Sequence, residues 1–160
     1  ALLMHFIFDL DHTVIDSSHR QLTKADGSLD LTHWRENCTH EKIMADTLLP
    51  LARTMQDAIN NGQNVIICTA RVLGRSDIIF LAKHGLLASV ILSRPEGDTT
   101  PDAELKTRLL KQHCQKVGIT WARFTRSAYM VDDNVNVLAE MKSHGMHTIN
   151  AINANQLKVA

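Results

Sequence analysis

Aromatic residues make up only 4% of this 160-residue chain, prolines number three, and 17 basic residues are matched by 17 acidic ones. With no net charge, the chain lacks the global positive field of tight duplex binders, although a site that grips one terminal phosphate needs only a few local arginines. No apolar run nears the roughly 18 to 20 residues that span a bilayer, and no charged-then-apolar leader opens the sequence, so a cytoplasmic location is expected. Met4 reads as a natural start, with residues 1–3 a remnant ahead of it. Cys38, Cys68 and Cys114 are odd in number and widely spaced, with no Cys-x-x-Cys pair. That argues against a zinc knuckle and a disulfide framework and leaves reduced thiols, with Cys68 a small buried hydrophobe. No Gly-x-x-x-x-Gly-Lys-Ser/Thr phosphate loop occurs. Among nine histidines only His144 and His147 have ligand-like spacing, with Gly145 between them, and all read as surface residues. Trp34 and Trp121 read as core residues rather than platforms for a base.

What is present is enough for one domain: a hydrophobic content of 44% supports one sizeable core and falls short of two. Apolar runs of β type are expected at about Met4–Phe8, Asn64–Cys68, Ser89–Leu92, Ala128–Val131 and His147–Ile149. Amphipathic stretches separate them. A helix over Leu48–Asn60 places Leu48, Leu51, Ala52, Met55, Ala58 and Ile59 on one face, with Gly62 just past its end. Ser76 is placed to cap a helix running to Lys83 or His84, and Thr100-Pro101 opens another that ends before Gly118. Val135–Ser143 reads as the final helix, and the tail from Asn153 supports only a weak strand or fraying. Strands alternating with helices indicate βαβ units, hence an α/β protein with a mostly parallel sheet flanked by helices. The polar stretch 14–40 is too long for the usual βα loop of roughly two to six residues. It is either a small cap over the strand ends, inserted after strand 1, or a disordered insertion.

Charge gathers where the apolar runs stop. Asp9-Leu10-Asp11-His12-Thr13 follows Phe6-Ile7-Phe8 directly, and two carboxylates at the end of a buried strand are costly unless a metal or a reaction uses them. Asp-x-Asp also occurs in ordinary surface turns, so further signals are needed. Thr69 and Arg71 follow Val65-Ile66-Ile67-Cys68, Lys106 sits on an expected helix, and Asp132-Asp133 follows Ala128-Tyr129-Met130-Val131. Each has a plain alternative: Asp132-Asp133-Asn134 can cap a helix, and Asp102 with Lys106 is the ordinary surface pair four residues apart. Taken together, the four motifs resemble those of the haloacid dehalogenase superfamily. Thr69-Ala70-Arg71, the segment Arg94-Pro95-Glu96-Gly97-Asp98-Thr99, and Asp102 four residues before Lys106 also resemble the 3′-phosphatase half of phage polynucleotide kinase/phosphatases, over nearly the whole chain. Arg20, eleven residues beyond Asp9, sits where that family carries a functional arginine.

The resemblance implies a single Rossmann-like domain over 1–160, residues 14–40 forming a small cap and leaving a relatively open pocket. It implies a phosphomonoesterase that works through an aspartyl-phosphate, with Asp9 as nucleophile and Asp11 as general acid and base. Thr69 and Lys106 would hold the phosphoryl oxygens, with Arg71 and Arg20 as further substrate-binding groups. Magnesium would be bound by the Asp9 and Asp132 carboxylates and the Asp11 backbone carbonyl. Asp133 would orient ligands from behind, Asp102 would fix Lys106, and Thr13 completes the nucleophile motif. The expected substrate is a 3′-phosphate on a polynucleotide end or a nucleotide, in the cytoplasm or the host cytoplasm of a phage. The alternatives are a phosphatase of nucleoside monophosphates or sugar phosphates, and a binding module that kept the fold without catalysis. The kinase half is missing, and the sequence is silent on oligomeric state.

Overall fold

The computed structural model describes residues 3–159; residues 1 and 2, which belong to the expected N-terminal remnant, and residue 160 lie outside it. In chain order the first elements are β1 (His5–Phe8), β2 (Ile15–Asp16), a 3₁₀ turn (Ser18–Arg20), α1 (Leu31–Glu36), α2 (His40–Met44), β3 (Thr47–Leu48) and α3 (Leu51–Asn60). There follow β4 (Asn64–Thr69), α4 (Arg75–Lys83), β5 (Val90–Ser93), α5 (Asp102–Val117), α6 (Trp121–Arg126), β6 (Ala128–Asp132), α7 (Val135–Ser143), β7 (His147–Asn150) and α8 (Ala151–Val159). No helix among the described residues is long and apolar enough to cross a membrane.

Five strands form one sheet in the order β5-β4-β1-β6-β7, every neighbouring pair parallel. Parallel strands are covered on both faces, which is why Phe6-Ile7-Phe8 and Val65-Ile66-Ile67-Cys68 are unbroken apolar runs. Alternate residues of those runs enter different cores. Phe8, Val65, Ile67 and Val131 pack with Met55, Phe80, Leu81 and Ala151. Ile7, Ile66, Cys68 and Met130 pack with Leu105, Leu109, Phe124 and Met141. The result is the expected α/β architecture, a parallel sheet between two helical layers.

Helix starts and the tail differ from the sequence reading. α3 begins at Leu51, because Thr47-Leu48 pairs antiparallel with Ile15-Asp16 as β3 before Pro50 starts the turn. Gly74 rather than Ser76 caps α4: the Asp77 carboxylate accepts the Gly74 N–H at 2.8 Å, while the Ser76 hydroxyl bonds Nδ1 of His40. α6 is an additional short helix, capped by the Thr120 hydroxyl. The tail is not frayed. Asn150 accepts the N–H groups of Ile152 and Asn153 and starts α8, and Asn155 is buried within it. Its Oδ1 accepts the Leu51 N–H at 2.8 Å and its Nδ2 donates to the Thr13 carbonyl at 3.0 Å. Asn155→Ala would orphan both backbone groups, and we expect a loss of about 1 to 3 kcal/mol in urea unfolding.

The cap stretch is folded rather than disordered. Asp30 caps α1 and Thr39 caps α2. Beneath them the Arg20 guanidinium, 1% exposed, donates from Nε and Nη2 to the two oxygens of buried Asp46, both at 2.9 Å. A planar fork on a carboxylate has two simultaneous bonds and little freedom, so it fixes the cap against the strand that follows it.

Candidate active site

β1 lies at the centre of the sheet, with β4 on one side and β6 on the other, so the chain leaves its end in opposite directions on its two flanks. Ligands in such sheets collect beyond the carboxyl ends of the strands at that reversal. Asp9 follows β1, Thr69 ends β4 and Asp132 ends β6. Register alone therefore brings together three residues that lie far apart in sequence. After Asp9 the chain winds tightly around one carbonyl, that of Leu10, which accepts the N–H groups of Thr13, Val14 and Ile15. His12 has φ of 62° within this turn, the only non-glycine residue described with positive φ. That left-handed conformation is strained, and its ring is tied to Gln21 at 2.9 Å.

Lys106, 2% exposed, joins the strand ends electrostatically: its Nζ donates to Asp9 Oδ1 at 2.9 Å and to Asp132 Oδ2 at 2.7 Å. Burial works against its charge, but the two carboxylates more than compensate and raise its pKa. The other Asp9 oxygen accepts the Thr13 hydroxyl at 3.0 Å, and Asp132 Oδ1 accepts the Asn134 N–H at 2.9 Å. Asp133 completes a cluster in which Asp9, Asp132 and Asp133 offer oxygens within 4.8 Å of one another. One lysine does not balance three carboxylates. Burial and the nearby Asp9 charge push the Asp132 carboxyl up to about 6, and burial with Asp9 and Asp132 pushes Asp133 up to about 8. Convergent hard oxygen donors with excess negative charge fit a divalent cation. The sequence reading placed Asp133 behind the ligands; the structure sets its carboxylate beside those of Asp9 and Asp132.

This crowding has a pH signature. Both carboxyls bind protons more tightly folded than unfolded, so their contribution to stability is fully present below about 4 and is lost as pH rises through about 6 and 8. Thermal melts of cation-free protein should therefore show a falling Tm across that interval, and a divalent cation should remove most of the slope.

The Asp11 carboxylate turns away from the cluster, toward Arg71. Nε of Arg71 donates to Asp11 Oδ2 at 3.0 Å, Nη2 donates to Oδ1, and Ser17 adds its hydroxyl at 2.6 Å. Burial alone would raise the Asp11 carboxyl, but the Arg71 guanidinium and these hydrogen bonds hold it below the usual carboxylate range. The third donor of Arg71, Nη1, reaches Asp77 at 2.7 Å. Arg71 is thus committed to two carboxylates and acts on Asp11 first, a pairing that sequence spacing gave no sign of. Thr69 faces the cavity and accepts the Arg71 N–H at 3.0 Å.

Two expected roles do not match the geometry. Arg20, expected to bind substrate, is absent from the cavity wall and holds both oxygens of Asp46. Asp102 does not hold Lys106; it accepts Nη2 of Arg94 at 2.9 Å, because Lys106 turns inward to the strand ends. Arg94 also donates to the carbonyls of Ala70, Asp98 and Thr100, each at 2.8 Å, and so fixes the 95–100 loop. The cavity measures about 720 Å³ and runs from Asp9, Lys106 and Asp132 to the cap residues Leu31 and Trp34. Cys68 lies in the core as expected, its thiol pushed up to about 12 by burial. The three cysteines are free.

The fold is that of hydrolases of the haloacid dehalogenase superfamily. A haloacid dehalogenase-like hydrolase from Streptococcus pneumoniae superposes with a TM-score of 0.67 at 11% identity, covering 96% of this chain and 91% of that one. A subfamily IA hydrolase of the same superfamily from Geobacter sulfurreducens gives 0.62 at 14% identity, over 98% and 96%. A chain of the Pnkp1/Rnl/Hen1 RNA repair complex gives 0.61 at 19%, over 94% of this chain and 45% of that one. Residues 2–160 match the family described as Bacteriophage T5 5′-deoxynucleotidase, and the chain belongs to that family. The 5′-deoxynucleotidase of Escherichia phage T5 is 32% identical over 173 residues, spanning 94% of this chain and 68% of the relative.

Proposed function

We propose that the protein is a magnesium-dependent nucleotidase that removes the 5′-phosphate from deoxynucleoside monophosphates through an aspartyl-phosphate on Asp9. The observation that carries this reading is the Asp9–Lys106–Asp132 constellation opening into one cavity of about 720 Å³, within the range of small-ligand sites. Membership in a deoxynucleotidase family favours a mononucleotide over the 3′-phosphorylated polynucleotide end anticipated from sequence.

Asp9, held by Lys106 at 2.9 Å, attacks phosphorus directly, since a carboxylate needs no base to serve as nucleophile at neutral pH. Thr69 and Lys106 hold the phosphoryl oxygens as charge shifts onto them. Asp9, Asp132 and Asp133 would hold magnesium together with the Asp11 carbonyl; when bound, it neutralises the phosphate and lowers the repulsion met by the nucleophile. Asp11 gives a proton to the departing O5′ and later takes one from the water that opens the aspartyl-phosphate. Arg71 favours the basic form that the second step needs, and a phosphate dianion beside Asp11 favours the acid form that the first step needs.

The test is phosphate release from 5′- and 3′-deoxynucleoside monophosphates and from oligonucleotides phosphorylated at either end, with and without magnesium. Turnover concentrated on the 5′-mononucleotides is the expected result. Preference for a 3′-phosphorylated oligonucleotide would replace this reading with polynucleotide end repair.

A further inference from the structure

We infer that Trp34 is the platform on which the nucleobase stacks, and that the buried Arg20–Asp46 pair exists to brace it. The inference rests on the nucleotidase reading and names the part of the substrate that the phosphate site leaves unbound.

The cavity has two chemically different ends. Toward Asp9 the wall carries the charged and hydroxylic groups of Asp11, Thr69, Lys106, Asp132 and Asp133; from the cap come Leu29, Leu31 and Trp34, with Val72 from beyond β4. Leu31 and Val72 are 54% and 45% exposed. Large apolar side chains left in water inside a cavity gain from a ligand that covers them. A planar apolar group carried on a phosphate suits both ends, and a nucleobase on its sugar is such a group.

Trp34 is held ready for it. The Arg20 guanidinium carbon lies 4.2 Å from the centre of the indole ring, and that of Arg71 lies 5.6 Å away. The two cations are neighbours, since both approach the same Asp46 oxygen, at 2.9 and 3.7 Å. Arg20 packs against the ring without itself lining the cavity, whereas Trp34 and Arg71 both line it, so Arg20 braces the ring outside the space a base would fill. A ring fixed in this way loses little freedom when a base stacks on it. The arrangement also accounts for a buried arginine that the phosphoryl chemistry does not use. Arg35, the residue after Trp34, lines the same cavity and is exposed, a cation available to the edge of a base.

The experiment compares kcat/KM for deoxynucleoside 5′-monophosphates with that for deoxyribose 5-phosphate, which carries the same phosphate and no base, in wild type, Trp34→Ala and Trp34→Phe. Wild type should favour the nucleotides. In Trp34→Ala the nucleotide-to-sugar ratio should fall about ten-fold or more, mainly through KM, and Trp34→Phe should keep most of it. A ratio unchanged in Trp34→Ala, including parallel loss on both substrates, overturns the inference and makes Trp34 structural. A second measurement needs no variant: free deoxynucleosides should competitively inhibit hydrolysis of deoxyribose 5-phosphate by wild type, and absence of inhibition overturns the inference equally. Nucleotide turnover with no preference over the sugar phosphate sinks base stacking alone, whereas no nucleotide turnover at all sinks the nucleotidase reading with it.

Discussion

Asp9→Asn should abolish phosphatase activity, by roughly 10⁴-fold or more in kcat, while leaving the fold intact. An amide oxygen can still accept the Lys106 bond at the Oδ1 position, and an amide nitrogen can meet the Thr13 hydroxyl where Oδ2 now does. What disappears is the proposed nucleophile. The same substitution removes one of three crowded carboxylates, so the Asp132 and Asp133 carboxyls, both raised in part by Asp9, should titrate lower than they do in wild type. Activity and stability should therefore separate: a nearly dead enzyme whose Tm at pH 8 without cation equals or exceeds that of wild type. Acid-quenched protein labelled from a phosphate-labelled substrate should carry acyl phosphate in wild type and none in the variant. If Asp9→Asn kept activity within ten-fold of wild type, Asp9 would be a cation ligand only and water would be the direct nucleophile.

The sheet was readable from sequence to within about a residue at each strand end because parallel strands buried on both faces are written as unbroken apolar runs. α8 was not readable, since Asn153 and Asn155 are weak helix formers. Its stability comes from Asn150 as cap and from Asn155 bridging Leu51 and Thr13, contacts more than a hundred residues distant in sequence. The cap posed the same difficulty. Its polar composition is that of a loop, and its order depends on Arg20 meeting Asp46, a pairing that no local pattern announces.

At the site, the residues at strand ends were legible because each motif is a short string at a fixed place in a strand. Their partnerships were not. Spacing of four on a helix paired Asp102 with Lys106, but the start of α5 is buried on several sides, and Leu105, Lys106 and Thr107 all point away from water. Lys106 goes to the strand ends and Asp102 to Arg94. Arg71 was read as a phosphate fork because it follows Thr69 by two residues; only the folded chain shows Asp11 and Asp77 occupying that fork. Trp34 was read as core on composition alone, and its place on the cavity wall depends on the cap being folded.

Lys106→Met should be the most damaging substitution for stability and activity together. The side chain is nearly inaccessible and, among the described residues, is the one cation bonded to both Asp9 and Asp132. Its loss leaves two buried carboxylates facing each other, and breaking a buried ion pair from one side costs about 3 to 5 kcal/mol. Catalysis loses the group proposed to hold a phosphoryl oxygen, for which roughly 10² to 10³-fold is a typical effect. The two losses can be told apart. Lys106→Met combined with Asp132→Asn removes the opposing charge, so urea unfolding should recover most of the stability while activity stays lost. A divalent cation should likewise raise the Tm of Lys106→Met more than that of wild type, because it supplies the missing positive charge to the same oxygens. If the double variant were as unstable as the sum of its parts, the lysine would be holding the strand ends by packing rather than by charge, and its contact with Asp9 would carry no weight in the chemistry.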